Sequence, residues 1–358
     1  MRPCKFSVIS LGLVLACAGS PSTDADVVDA TASALRTSSF DFDANLRGSG
    51  NVTIHANVYS NPQRPFGETV LAIHGLAETG SVYGPLARAV SGQQPFKKYV
   101  GRVIAISLPG HGDSGFPEHL PSGVNFGQLT IEDNVAVVLQ ALDALRARGT
   151  PASVIAGHSM GGLAVQAAQQ TLLTQGSSLA ARGVRLAILL APVPPHGRPG
   201  TQPPPSDLSA FVVQDPGRGP YLALSNEVWL AQAFGTHAGR LAPNAPTPDE
   251  VSAAGYNGLE PLTVILQLLE SPTVLADGST ITVPRPSVEG GAFARAKGTR
   301  LVLLSFSEDV LVPAADLVDL YGYLTRDSGA DGLREIVADD AVHSMFISNP
   351  QELVDGSL

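Results

Sequence analysis

Apolar residues along this chain gather into short, uninterrupted runs. The clearest are Thr69-Val70-Leu71-Ala72-Ile73, Val103-Ile104-Ala105-Ile106-Ser107, Val154-Ile155-Ala156, Leu186-Ala187-Ile188-Leu189-Leu190-Ala191 and Leu301-Val302-Leu303-Leu304-Ser305-Phe306. Runs of this length without polar alternation predict central parallel strands covered on both faces. Residues 52–59 differ: Val52, Ile54, Ala56 and Val58 alternate with polar positions, which predicts a half-buried strand near a sheet edge. A weaker strand is predicted over 333–337. Between the runs the period changes to that of a helix. Val135, Val138, Leu139, Leu142 and Leu145 form one apolar stripe, introduced by Thr130 with Asp133 three positions on and closed by Gly149-Thr150-Pro151; that is a capped helix. Further helices are predicted over 83–90, from the serine turn to about residue 175, over 314–324, and briefly near 350–354.

Strand–helix alternation with short connections implies the α/β class, with a doubly wound, mostly parallel sheet. The alternation stops between residues 192 and 297. That segment opens with Pro192, Pro194, Pro195, Pro199, Pro203, Pro204 and Pro205, and only 222–234 and 259–269 look helical. It reads as an inserted helical cap. The resulting division is 1–19 leader, 20–45 flexible linker, 46–191 first part of the core, 192–297 cap and 298–358 second part of the core. The linker is predicted from the Ser, Thr, Asp and Ala content after residue 20.

Composition adds bounds. The 358 residues are 44% hydrophobic and 15% charged, with a net charge of −10. Such a chain can bury a large core, and its acidity argues against nucleic acid or an anionic membrane surface as the main partner. Its two cysteines, Cys4 and Cys17, both precede the predicted body, so no disulfide framework or cysteine metal cluster is expected in it. Arg2 and Lys5 precede an apolar stretch over 6–16 that is too short to span a bilayer, and Ala16, Cys17, Ala18, Gly19 and Ser20 follow; this pattern predicts export. Val14-Leu15-Ala16-Cys17 resembles a bacterial lipobox, which would place a lipid anchor on Cys17; ordinary signal-peptidase cleavage is the alternative, and incorporation of labelled palmitate distinguishes the two.

The candidate chemistry sits in Val154-Ile155-Ala156-Gly157-His158-Ser159-Met160-Gly161-Gly162. A buried strand enters Gly-x-Ser-x-Gly and a helix leaves it, so a serine stands at the apex of a sharp turn with free backbone N–H groups beside it. A serine hydroxyl needs a base, and the base needs an orienting carboxylate. In a doubly wound sheet these must come from the C-terminal strand ends. His343, in a loop after the final strand, is the candidate base. Asp309, just after the 301–306 run, is the candidate acid, with Glu308 as its rival. The two oxyanion donors are expected from the backbone N–H groups of Met160 and of Leu76, in the loop His74-Gly75-Leu76-Ala77-Glu78. His158 is expected to pack the elbow, His111 to brace its glycine-rich loop, and His196 and His237 to be exposed. No His/Asp/Glu grouping has metal-ligand spacing, so neither metal nor cofactor is expected.

From about Glu68 onward the chain resembles the α/β-hydrolase superfamily, in the branch with a bare His-Gly oxyanion loop. The resemblance rests on His74-Gly75, Gly110-His111-Gly112-Asp113-Ser114, Gly157-His158-Ser159-Met160-Gly161-Gly162, Asp309 and His343, in that order. It implies Ser159 as nucleophile, His343 as general base and acid, Asp309 as its partner, and a cap after the strand ending near Ala191. It implies hydrolysis of carboxylic esters of apolar small molecules through an acyl-enzyme. The same triad could instead serve C–C bond, thioester or lactone hydrolysis, perhydrolysis or acyl transfer, and a non-catalytic surface binding protein is the remaining alternative. Lack of a His-Gly-Gly-Gly loop argues against esters of bulky tertiary alcohols.

Overall fold

A computed structural model describes residues 35–92, 99–198, 208–270, 273–274, 280–326, 334–338 and 341–351. The leader, Cys17 and the first part of the linker lie outside them, as do Asp339, Asp340 and residues 352–354 of the helix expected near the C-terminus. Eight strands form the central sheet: β1 (Arg36–Leu46), β2 (Gly50–Ser60), β3 (Glu68–Ile73), β4 (Val100–Ile106), β5 (Val154–His158), β6 (Leu186–Leu190), and, after a long insertion, β12 (Arg300–Phe306) and β13 (Arg334–Ala338). Their order is β1-β2-β4-β3-β5-β6-β12-β13. The pairs from β4 to β13 are parallel, and only β1–β2 and β2–β4 are antiparallel.

The uninterrupted apolar runs become central strands because both faces are covered. Leu71 and Ile73 of β3 point into one core, with Leu142 of α2 (Ile131–Ala147), Leu163 of α3 (Met160–Thr174) and Leu317 of α8 (Ala314–Leu324). Val70 and Ala72 point into the other, with Ala87 of α1 (Gly84–Gly92) and Phe346 of α9 (Met345–Ser348). This is the alternation of a strand read on two buried faces. Helix α2 begins at the capping box expected from Thr130 and Asp133. Asp133 also holds Arg47 of the β1–β2 turn, with Nη2 and Oδ2 2.6 Å apart, which fastens the antiparallel edge to the helix layer.

Two expectations need correction. Residues assigned to the linker up to 45 are strand from Arg36 onward, paired along β2 from Arg36↔Ser60 to Leu46↔Gly50. Phe40, Phe42, Ala44 and Leu46 alternate with Asp41, Asp43 and Asn45 and pack against the core, a period-2 signal masked by the polar stretch before it. The insertion, moreover, is not purely helical. It contains a three-stranded antiparallel sheet of β7 (Val212–Asp215), β8 (Gly219–Ala223) and β9 (Leu259–Pro261). Leu222 therefore lies in a strand. Helix α4 (Asn226–Phe234) begins only after Ser225, whose side chain caps the Val228 N–H. The second helical stretch likewise starts as β9 and becomes α6 (Leu262–Leu269) after Pro261, which stands at the N-cap with ψ 134° and has no N–H to leave unbonded. The short elements α5 (Pro248–Ala254), β10 (Thr273–Val274), β11 (Thr280–Ile281) and α7 (Ala292–Arg295) complete the segment before β12.

Candidate active site

All the candidate residues reach the C-terminal edge of the sheet. Ser159 follows β5 directly and has φ 51° and ψ −118°, a backbone state that disfavours any residue with a Cβ. Backbone hydrogen bonds hold it there, among them one from the Leu163 N–H to its carbonyl at 3.2 Å. Its N–H donates to the Leu190 carbonyl at 2.9 Å, and its carbonyl accepts from Gly162 at 2.9 Å and Val193 at 3.0 Å. The flanking glycines are steric requirements. A Cβ on Gly157 would stand 2.5 Å from the Gly161 carbonyl oxygen, and one on Gly161 would strike the carbonyl oxygens of His74 and Ile73. The serine is 6% exposed, and among the described residues its hydroxyl makes no protein hydrogen bond.

His343 Nδ1 lies 2.7 Å from Asp309 Oδ2. The other carboxylate oxygen, Oδ1, accepts the Leu311 and Val312 N–H groups at 2.8 and 2.9 Å. Asp309 is fully buried. With Nδ1 donating to Asp309, Nε2 of a neutral His343 carries the lone pair, which is the tautomer a general base needs. Burial acts to lower the His343 pKa, but the Asp309 charge and hydrogen bond outweigh it, and the value is raised above the ordinary 6.5. Glu308, the rival acid, instead accepts from the His237 N–H at 3.4 Å.

Leu76 lines the cavity above Ser159. Neither its N–H nor that of Met160, at the start of α3, has a protein acceptor among the described residues, so both are free to meet a developing oxyanion. Beneath them lies a set of buried histidines. His74 Nε2 accepts the Leu108 N–H at 2.9 Å while Nδ1 faces the Gly75 carbonyl at 2.8 Å. Burial, then the nearby His111, push its pKa down to about 3, so it is neutral. His158 cannot act as base, since both ring nitrogens are engaged: Nδ1 with Glu78 Oε2 and Nε2 with the His343 carbonyl, each at 2.9 Å.

Sequence reading missed two acids. Glu78 receives the Gly75 N–H at 2.7 Å, His158 Nδ1 and the Ser344 hydroxyl at 3.1 Å. One carboxylate thus joins the loop after β3, the elbow and the base loop. Burial opposes its charge, but His158 and the Gly75 N–H prevail and hold its pKa at about 2. Glu260, fully buried in β9, accepts from Ala77 N at 2.9 Å and lies 3.0 Å from His111 Nε2. Neither lies in a sequence pattern that marks its role.

Ser159, His343, Leu76 and Glu78 share a cavity wall with Trp229, Gln232, Ala233, Ile265, Leu268 and Leu269 of the insertion, and with Leu311 and Val312. Leu222, Leu224, Leu230 and Phe234 of the insertion do not line it and are buried in the packing. The cavity holds about 60 Å³. By the same measure one water requires about 10–15 Å³, so the space suits a short apolar group. Among the described residues no cluster of three or more His, Cys, Asp or Glu is arranged to hold a metal.

Comparison with known proteins places these features in context. The profile of the Alpha/beta hydrolase family matches residues 70–356. No curated protein matches the chain. Among solved structures, carboxylesterase CesB (YbfK) from Bacillus subtilis is 15% identical, with TM-score 0.54 over 89% of this chain and 90% of that one. Naproxen esterase from the same organism is 16% identical, with TM-score 0.53 over 90% of both chains. A membrane phospholipase A described as a bacterial virulence factor is 16% identical, with TM-score 0.51 over 89% of this chain and 84% of that one. At these identities the likeness is one of fold.

Proposed function

The chain belongs to the alpha/beta hydrolase family, and from that premise we propose that it is a serine esterase acting on short-chain carboxylic esters. The carrying observation is that His343, paired with the buried Asp309, lines the same cavity as the strained Ser159. In this mechanism Ser159 Oγ attacks the ester carbonyl as His343 Nε2 takes its proton; the open hydroxyl closes onto Nε2 when substrate fills the cavity. The oxyanion accepts from the Leu76 and Met160 N–H groups. His343 then protonates the departing alcohol, leaving an acyl group on Ser159, and activates water to release it.

The acyl group is assigned to the pocket of Trp229, Ile265 and Leu268. Across p-nitrophenyl esters, kcat/KM is expected to peak at acetyl to hexanoyl and to fall by about 100-fold at palmitoyl, since a chain longer than the pocket must displace packed side chains, at a cost of about 1–3 kcal/mol. A flat or rising profile rejects the short-chain assignment, and no turnover of any member rejects the esterase. Faster turnover of the matched S-acyl thioesters would make the protein a thioesterase instead. The pH profile carries a sign. Because the His343 pKa is raised, its imidazolium persists above pH 6.5, and only the neutral form accepts a proton. kcat/KM should therefore climb with pH, with its midpoint above 6.5. A midpoint at or below that value contradicts the role given to His343.

A further inference from the structure

The insertion does more than roof the cavity. The loop after β3 places Ala77 at φ 51°, a strained state for alanine, and the bonds that hold it come from the insertion. The Ala77 N–H donates to Glu260 Oε2 at 2.9 Å, and the Ala77 carbonyl accepts the Gly258 N–H at 2.8 Å. The Thr79 hydroxyl reaches the Gly255 carbonyl at 2.5 Å, and Glu78 and Asn257 form a β-bridge. The same Glu260 oxygen faces His111 Nε2, whose ring is held at Nδ1 by the Pro109 carbonyl. The other oxygen, Oε1, has no hydrogen bond among the described residues. Among the described residues the hydrogen bonds of this buried carboxylate therefore go to the loop after β3 and the loop after β4. Both are core loops, reached from 183 and 149 residues away.

We propose that Glu260 is a positioning residue of the reaction: through the Ala77 N–H it fixes the neighbouring Leu76 N–H as oxyanion donor, so the insertion completes the catalytic centre. This rests on the esterase reading above. Glu260 touches no substrate; it acts by keeping a strained peptide in place. Loss of one oxyanion donor slows acyl transfer by about 10²–10³-fold, and a misaimed donor should approach that.

The test compares Glu260→Leu, Glu260→Gln and Gly258→Ala in the full protein. Glu260→Leu should lower kcat about 100-fold with KM changed less than about threefold, because the donor acts mainly in the transition state. Glu260→Gln keeps an acceptor oxygen and should restore kcat to within about fivefold of the parent. Folding is followed by the fluorescence of Trp229, the sole tryptophan of the chain, buried in the insertion. Should Glu260→Leu not fold, Gly258→Ala decides. Its Cβ would stand 2.6 Å from both the Glu78 carbonyl oxygen and His111 Cδ2, pushing the clamp off the loop without stranding a charge, and it should lower kcat in the same selective way. A second readout needs no turnover: amide exchange at Ala77 should accelerate at least tenfold in the leucine variant while β3 and β5 stay protected. A folded leucine or Gly258→Ala variant with parental kcat, or unchanged exchange at Ala77, overturns the proposal. Absence of ester turnover in the parent would overturn the esterase reading alone, leaving the exchange result to judge the clamp.

Discussion

Ser159→Ala should lower kcat/KM roughly 10⁴- to 10⁶-fold and move Tm by less than about 3 °C. The two halves of this expectation have separate causes. Without Oγ there is no atom to form the acyl-enzyme, and the remaining rate is what the oxyanion donors and binding supply. The fold should hardly respond, because alanine and serine are equally strained at φ 51° and the bonds to Leu190, Gly162 and Val193 are backbone bonds that the substitution keeps. Steady-state kinetics beside a thermal melt check both halves. A variant that stays active means another nucleophile; one that loses its fold means the serine is structural.

Asp309→Asn should cost about 10⁴-fold in kcat with the fold intact, and the geometry gives the reason. Oδ1 of Asp309 is held by the Leu311 and Val312 N–H groups. In the asparagine variant only the amide oxygen can accept those two bonds, so it must occupy that side. The amide NH₂ then takes the place of Oδ2, 2.7 Å from His343 Nδ1, and donates to it. A ring nitrogen that accepts a bond carries no proton, so the proton moves to Nε2, the atom that must receive one from Ser159. The imidazole is held in place in the wrong tautomer. The loss should appear in kcat, with little change in KM and an unchanged circular dichroism spectrum. A residual rate within tenfold of the parent would mean that Asp309 does not set the tautomer, and Glu308→Gln would be the next variant to measure.

What could be seen in the sequence was what is local. The elbow is written in nine consecutive residues, and its strand, turn and helix need no distant partner to be recognised. The central strands were equally plain, since burial on both faces leaves an unbroken apolar run. Asp309 and His343 could be placed because strand ends converge at one edge of a parallel sheet. The edge strand β1 was missed although Phe40, Phe42, Ala44 and Leu46 alternate, because the polar stretch before it resembles a linker. The end of β8 and all of β9 were read as helix because a helix follows closely on each, and strands of five and three residues are too short to show a period. Glu78 and Glu260 were beyond reach for a different reason. Their meaning lies in partners 80 to 266 residues away, and an isolated buried acid has no sequence pattern to declare it.

One labelling measurement tests the role of Ser159 most directly. A p-nitrophenyl alkylphosphonate with a short alkyl group forms a stable tetrahedral adduct only on an activated nucleophile beside oxyanion donors. Mass spectrometry of the digested protein should find one adduct, on Ser159, formed with release of one p-nitrophenolate per chain and lost in Ser159→Ala. A folded protein that releases no p-nitrophenolate, or carries the phosphonate on some other residue, would contradict that role.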